Sequence, residues 1–104
     1  MIKVQKNDFN LNKEINTITT QNNNIGGIAS FVGLVRGGKN NTLKSMTLEH
    51  YPGMTEKMLK KIESEAHNRW ELKDSLIIHR YGKLLPGEQI VLVATASEHR
   101  NNAI

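Results

Sequence analysis

One stretch constrains the fold more than any other, an apolar segment rich in small residues that ends in a cation. It runs from Gly26 to Arg36, and a short polar loop with two leading glycines follows at residues 37–41. Interior glycines weaken a strand and often mark a bulge or the close approach of another backbone or a ligand. The segment therefore predicts a long strand whose last residue, Arg36, either seats an anion or simply reaches water.

Length and composition favour one globular domain, and we expect a single domain over residues 1–104. The chain has 14 Lys and Arg residues against 10 acidic residues, a net charge of +4 that favours anionic partners. No basic stripe is interleaved with aromatic residues, so a nucleic-acid binder has only this charge in its favour. Phosphate-bearing small molecules or an acidic protein partner fit the charge equally well.

The chain contains no cysteine, which excludes disulfides and thiolate metal sites. Any sulfur chemistry would therefore need a donor from outside this chain. No apolar run approaches the roughly 18 residues that a transmembrane helix requires. The first residues lack the apolar region of a secretory signal. We expect no membrane association and a cytoplasmic location.

The first half of the chain predicts three strands and one helix. The opening residues alternate apolar with polar side chains, the pattern of a short half-buried strand. Asn10 predicts the cap of a helix from Leu11 to about Thr19, because apolar residues follow it at helical spacing. The Gly26–Arg36 strand comes next. Residues 42–51 predict another strand, and the lengths suggest that it forms an antiparallel hairpin with Gly26–Arg36.

The second half predicts one long amphipathic helix and two strands. From Met54 onward, apolar residues recur every four positions at Met58, Ile62, Ala66 and Trp70. Strands follow at residues 75–81 and 89–97, joined by a connection with a Pro-Gly turn, and the nearly continuous apolar run of the second strand predicts burial on both faces. Ser97 could then cap a further helix. These elements predict an α+β fold with a mainly antiparallel sheet.

The four histidines do not predict a metal site. They are widely spaced and form no HxH or HxxxH pair, whereas zinc ligands normally lie close together in sequence. His67 is expected to be solvated and His79 to be structural. The paired glycines match neither a P-loop nor a dinucleotide fingerprint, and no serine lies in a G-x-S-x-G frame.

The pair His99-Arg100 is a stronger candidate for chemistry. It follows a buried strand and begins the helix expected after Ser97, where free N–H groups favour anions. An arginine fork binds phosphate or carboxylate through two hydrogen bonds, and a neighbouring histidine can add another. If the sheet brings Arg36 and Arg100 to one edge, they would form a two-arginine anion pocket. Otherwise each is an ordinary surface cation.

Five segments in this order resemble the catalytic, large subunit of molybdopterin synthase. The resemblance covers almost the whole chain from Ile25 onward. Each segment alone is weak, but five in sequence are highly specific. They are Gly27–Arg36, Leu48–Met54, Ile78–Gly82, Pro86–Glu88 and His99-Arg100.

The resemblance implies an α/β hammerhead fold and a defined assembly. A homodimer of this chain would be flanked by two copies of a small ubiquitin-like sulfur-carrier subunit, giving a heterotetramer. The carrier's C-terminal Gly-Gly thiocarboxylate would enter a pocket on the large subunit. Two sulfurs would pass to cyclic pyranopterin monophosphate and form the dithiolene of molybdopterin. No prosthetic group is implied.

The resemblance also implies site residues. The backbone of Leu34 and Val35, the side chain of Arg36 and the pair His99-Arg100 would bind the phosphate and the incoming carboxyl terminus. The lysines that the family uses in catalysis would lie beyond Ile104, so no catalytic residue is assigned. We accordingly expect residues 1–104 to be C-terminally incomplete and to bind the partner while transferring sulfur slowly or not at all. The alternative is a binding-only member of the same family.

Overall fold

The computed structural model describes residues 1–38, 44–49 and 51–99. Within these ranges the chain forms two helices and six strands. In chain order they are β1 (Ile2–Gln5), α1 (Leu11–Gln21), β2 (Gly27–Leu34), β3 (Met46–Leu48), α2 (Met54–Arg69), β4 (Asp74–Arg80), β5 (Gly82–Leu84) and β6 (Gln89–Ser97).

Four of these strands form the main sheet, in the order β1-β4-β6-β2. Strand β1 runs parallel to β4, whereas the β4–β6 and β6–β2 pairs are antiparallel. The predicted α+β architecture with a mainly antiparallel sheet is confirmed. Strands β1 and β2 form the two edges of this sheet.

Helix α1 covers one face of the main sheet. Asn10 caps it, because its side chain accepts a hydrogen bond from the Lys13 N–H at 3.0 Å. The cap and the helix type are confirmed, and the helix continues two residues past the expected end, to Gln21. Beneath it lies the apolar core of Phe9, Ile18, Leu76, Ile78, Leu92, Ala94 and Ala96.

The hairpin predicted between residues 42–51 and Gly26–Arg36 is wrong. Strand β2 pairs along its length with β6, and β3 instead pairs with β5, a segment that the sequence predicts as a connection. The reason is length and apolar content: β6 has nine mostly apolar residues to match the eight of β2, while β3 has three. Thr42, Leu43 and His50 lie outside the described residues.

Helix α2 lies against the opposite face, at the β1 side of the sheet. Its His67 contacts Ser75, which points away from the core because it alternates with Leu76 on β4. No residue of α2 is buried, and the predicted apolar stripe is largely exposed at Met58 and Ile62. The helix is thus present as predicted, but it does not bury its stripe within the described chain.

The prediction that β6 is buried on both faces is wrong. Leu92, Ala94 and Ala96 face the core and are fully buried, whereas Val91 and Val93 point to the other face and are half-buried. This follows from the position of α2, which contacts β1 and leaves the β6–β2 part of its face open. No helix in the described ranges is long and apolar enough to cross a membrane.

Candidate anion-binding site

The backbone before Arg36 is held in place by a turn. The Val35 N–H donates to the Glu88 carbonyl at 2.9 Å, and the Val35 carbonyl accepts from the Gly87 N–H at 2.9 Å. Val35 is itself buried, one residue beyond the end of β2 at Leu34. The main chain is therefore fixed up to the point where the exposed Arg36 side chain leaves the sheet.

A β-bulge in the β2–β6 pair lies shortly before Arg36. The register passes from Gly33 opposite Val91 to Leu34 opposite Gln89, so β6 carries one extra residue, Ile90. A bulge bends its strand and changes the direction of the side chains that follow. Gly33 suits this place because a Cβ there would lie 2.7 Å from Val91 Cγ1. Interior glycines of this segment were possible markers of a bulge, and Gly33 does lie at a bulge.

A buried cation, Arg80, stabilises the same end of the sheet. Its Nε donates to the Lys6 carbonyl at 3.1 Å and its Nη1 to the Gln89 carbonyl at 2.8 Å. The carboxylates of Asp8 and Glu88 lie 3.7 Å and 3.9 Å from its guanidinium. The sequence does not predict this role, since an arginine at a strand end carries no signal of burial.

The two carboxylates near this end are already engaged. The Gln89 amide donates to Asp8 Oδ1 at 2.8 Å, and this hydrogen bond is the main reason that the pKa of Asp8 lies below its usual value. The Glu88 carboxylate accepts from the Leu85 N–H as well as facing Arg80. Arg36, in contrast, makes no ion pair with any residue that the structure describes.

His99 lies at the far end of β6. Ser97 is fully buried, and its hydroxyl accepts from the His99 N–H at 3.0 Å and donates to the His99 carbonyl. The N–H contact is the one expected of a cap, but the helix predicted to follow lies mostly outside the described residues. The exposed side chain of His99 borders a cavity of about 230 Å³ that is also lined by Glu71, Leu72, Lys73 and Glu98.

Gly26 is hydrogen-bonded to the end of β6 at this far end of the sheet. Its N–H donates to the Ser97 carbonyl at 2.8 Å, and a Cβ at Gly26 would overlap the carbonyl oxygen of Glu98. Glycine is therefore required at position 26, because the chain that leaves β6 passes too close for a Cβ. Such a close approach is one of the roles that the glycines of this segment suggested.

The antiparallel pairing separates the two candidate cation sites. Gly27 lies opposite Ser97 and Leu34 lies opposite Gln89. Seven residue steps of about 3.4 Å separate these pairs, so the ends are about 24 Å apart. Arg36 lies just beyond one end of the β2–β6 pair, and His99 lies just beyond the other end. The structure does not bring them together within one protomer, and Arg100 lies outside the described residues.

The remaining histidines make local contacts. His67 is exposed, as expected, yet its Nε2 lies 2.8 Å from Ser75 Oγ. His79 Nδ1 lies 2.9 Å from the Arg80 carbonyl. In the described part of the chain, no group of three or more histidine, aspartate or glutamate side chains could hold a metal ion.

Fold and site together define an α+β protein whose Arg36, just past the end of β2, makes no ion pair with any described residue. A family model described as "MoaE protein" matches residues 4–104, and the chain belongs to this family. The molybdopterin synthase catalytic subunit of Ralstonia nicotianae is 52% identical over 98% of this chain, and that of Pseudomonas aeruginosa is 48% identical over the same share. The chain spans 58% and 69% of these two relatives.

Solved structures show the same fold. A MoaE protein from Burkholderia ambifaria matches with a TM-score of 0.90 and 50% identity, covering 99% of this chain and 67% of its own. Molybdopterin synthase from Staphylococcus aureus matches with a TM-score of 0.85 and 28% identity, covering 97% and 73%. The family resemblance read from the five sequence segments is therefore confirmed.

Proposed function

We propose that this chain belongs to the large subunit of a molybdopterin synthase. The reaction would transfer sulfur from the C-terminal thiocarboxylate of a small carrier subunit to cyclic pyranopterin monophosphate, leaving the carrier with a carboxylate. Two such transfers would form the dithiolene of molybdopterin. The observation that carries this proposal is the similarity, along 98% of the chain, to relatives named molybdopterin synthase catalytic subunit.

Arg36 is the leading substrate-binding residue. Its guanidinium is exposed and without an ion-pair partner among the described residues, and Val35 beside it is fixed by two backbone hydrogen bonds. Such a cation can bind a phosphate or a carboxylate through two parallel hydrogen bonds. Because a guanidinium stays protonated, Arg36 would bind and orient the anion but would not transfer protons. The backbone of Leu34 and Val35 and the pair His99-Arg100 complete the proposed set.

The proposed partners follow from the same family membership. They are a small ubiquitin-like sulfur carrier and a second copy of this chain, together forming a heterotetramer in the cytoplasm. The net charge of +4 would favour an acidic carrier and speed its association. The reaction needs the pterin as substrate and no prosthetic group.

Titration with cyclic pyranopterin monophosphate tests the role of Arg36. We expect Arg36→Ala to weaken binding by about 10- to 150-fold, since a hydrogen bond to a charged group contributes about 1.5–3 kcal/mol. Arg69→Ala is the matched control, because Arg69 is also exposed but lies at the end of α2. Thermal unfolding of both variants would show that the fold is kept. Unchanged affinity of Arg36→Ala would refute the assignment.

Turnover with a thiocarboxylated carrier tests the reaction itself, when residues 1–104 are compared with the same chain extended by a family-like helix and lysine tail. Formation of the dithiolene by the extended chain, detected as molybdopterin, is the result expected of a synthase. Binding of the carrier and the pterin without turnover in either form would instead identify the binding-only alternative. Failure to bind either molecule would contradict both functions.

A further inference from the structure

The connection between β5 and β6 is a tight turn over residues 85–88. The Glu88 N–H donates to the Leu85 carbonyl at 3.0 Å, and this hydrogen bond closes the turn. Pro86 occupies the second position of the turn, and Gly87 occupies the third with a φ of 90°. Proline followed by a residue with positive φ is typical of a type II turn. The sequence of this segment therefore sets the backbone of the turn.

The side chain of Glu88 adds a second link within the turn. Its Oε2 accepts a hydrogen bond from the Leu85 N–H at 2.5 Å, and a hydrogen bond to a carboxylate is about twice as strong as a neutral one. Its Oε1 lies 3.9 Å from the Arg80 guanidinium. That ion pair contributes little, because the Glu88 side chain is 39% exposed. The main contact of the carboxylate is thus the one inside the turn.

The turn holds Val35 through both of its backbone groups. The Val35 carbonyl accepts from the Gly87 N–H at 2.9 Å, and the Val35 N–H donates to the Glu88 carbonyl at 2.9 Å. Val35 is only 3% exposed, so these hydrogen bonds are shielded from water. Two successive residues of the turn therefore fix the residue that directly precedes Arg36.

The chain on the other side of Arg36 is permissive. Two glycines follow it, and Gly38 has a φ of 76°, a conformation that glycine adopts readily. Glycine has more backbone freedom than any other residue, so it transmits little constraint to its neighbours. Among the described residues, the backbone hydrogen bonds nearest to Arg36 along the chain are those of Val35. The position of Arg36 consequently depends on the turn.

We propose that Glu88 is a positioning residue for Arg36, because its carboxylate braces the turn that holds the backbone from which the guanidinium extends. A guanidinium binds a phosphate or a carboxylate through two parallel hydrogen bonds, and this geometry is disturbed when the base of the side chain shifts. Glu88 acts through the turn and Val35 and does not contact the substrate. This role rests on the proposed function, since the anion that Arg36 would bind comes from there.

An acidic residue close to an anion site also has an opposite, purely electrostatic effect. The charge of Glu88 repels a phosphate, so removal of the charge alone would tighten binding. Loss of the hydrogen bond to Leu85 would instead loosen the turn and weaken binding. Glu88→Gln removes the charge but keeps a side-chain oxygen that can accept from the Leu85 N–H, whereas Glu88→Ala removes both. The two variants therefore separate positioning from charge.

Titration with cyclic pyranopterin monophosphate compares these variants. We expect Glu88→Ala to weaken binding about 10-fold, the low end of the loss expected for Arg36→Ala. Glu88→Gln should bind at least as tightly as the wild type. Glu65→Ala is the matched control, because it removes an exposed carboxylate of α2 and should leave the affinity unchanged. Unchanged or tighter binding by Glu88→Ala would overturn the proposal, and so would an equal loss in Glu88→Gln.

A double-mutant cycle shows whether Glu88 acts through Arg36. In the Arg36→Ala background, the further change Glu88→Ala should alter the affinity by less than about 2-fold, because the cation that it positions is absent. A residue that only stabilises the fold would have the same effect in both backgrounds. An equal loss of affinity with and without Arg36 would therefore contradict the positioning role.

Amide hydrogen exchange tests the positioning without any ligand. The Val35 N–H should exchange faster in Glu88→Ala than in the wild type, and Glu88→Gln should restore the slow exchange. The Gly26 N–H is the internal control, since it donates to the Ser97 carbonyl at the other end of the β2–β6 pair and reports opening of the whole sheet. No change at Val35, or equal acceleration at both amides, would refute the proposal. If the wild type binds no pterin but Val35 responds as expected, the proposed function fails and the link from Glu88 to the Arg36 backbone stands.

Discussion

The Arg80 guanidinium donates Nη1 to the Gln89 carbonyl at 2.8 Å, although this arginine is only 6% exposed. A second hydrogen bond, from Nε to the Lys6 carbonyl, joins the end of β4 to the segment that follows β1. The charge is therefore used inside the protein, at the end of the sheet where Arg36 leaves it. Of these two arginines at one end, one stabilises the fold and the other faces outward.

Arg80→Ala should destabilise the protein strongly. It removes two part-buried hydrogen bonds from a charged donor, each contributing about 1.5–3 kcal/mol, and leaves the Lys6 and Gln89 carbonyls without this donor. We expect the free energy of unfolding to fall by about 3 kcal/mol in chemical denaturation. Arg69→Ala removes an exposed arginine and should change it by less than about 0.5 kcal/mol. Equal effects of the two substitutions would contradict the structural role of Arg80.

Gly26→Ala should cost more stability than Gly33→Ala. The added Cβ at Gly26 would overlap the Glu98 carbonyl oxygen, so backbone must move, and overpacking costs about 1–3 kcal/mol. At Gly33 the nearest atom is the tip of a side chain, Val91 Cγ1 at 2.7 Å, which can turn away. Thermal unfolding of both variants measures the difference. If Gly33→Ala were the more harmful change, the close approach at Gly26 would not limit stability.

Glu63 links α2 to the sheet through two hydrogen bonds. Burial would raise the pKa of its carboxyl, but hydrogen bonds from the Met1 ammonium at 2.6 Å and the Ser75 hydroxyl at 2.7 Å outweigh burial, and the pKa lies below its usual value. A carboxyl with a lowered pKa stabilises the folded state when ionised. Its contribution is complete above the ordinary value of 4.5 and is lost as the pH falls through the lowered folded value.

Glu63→Gln should accordingly destabilise the protein at neutral pH, and its difference from the wild type should shrink on acidification below pH 4.5. Free energies of unfolding measured from pH 7 downward test this. The control is Glu65→Gln, since Glu65 is exposed on the same helix and its loss should cost less than about 0.5 kcal/mol. A difference between Glu63→Gln and wild type that does not change with pH would disprove the assignment.

Asn10→Ala should destabilise α1 by about 1 kcal/mol, because it removes the acceptor of the Lys13 N–H at the helix start. Asn10→Asp keeps an acceptor and should retain most of the stability. Chemical denaturation compares the two. Equal losses in both variants would show that the cap contact contributes little.

Local patterns in the sequence were enough for the elements whose signals lie within a few residues. The alternation at the N-terminus, the Asn10 cap and the 3.6-residue repeat from Met54 each predicted an element that the structure contains. These signals work because capping and periodicity act between neighbours along the chain. The five family segments likewise depended on sequence order alone, and the family they indicated is confirmed.

The pairing of strands was decided by tertiary structure. Proximity in sequence favoured a hairpin between Gly26–Arg36 and residues 42–51, but β6 is the partner of β2 because it matches its length and apolar content. That antiparallel choice places Arg36 and His99 at opposite ends, which no local pattern could show. The burial of Arg80 is of the same kind, since its acceptors come from Lys6 and Gln89, far away in the sequence. Sequence thus determined the family and most elements, whereas long-range pairing decided which charges are buried and where the exposed cations lie.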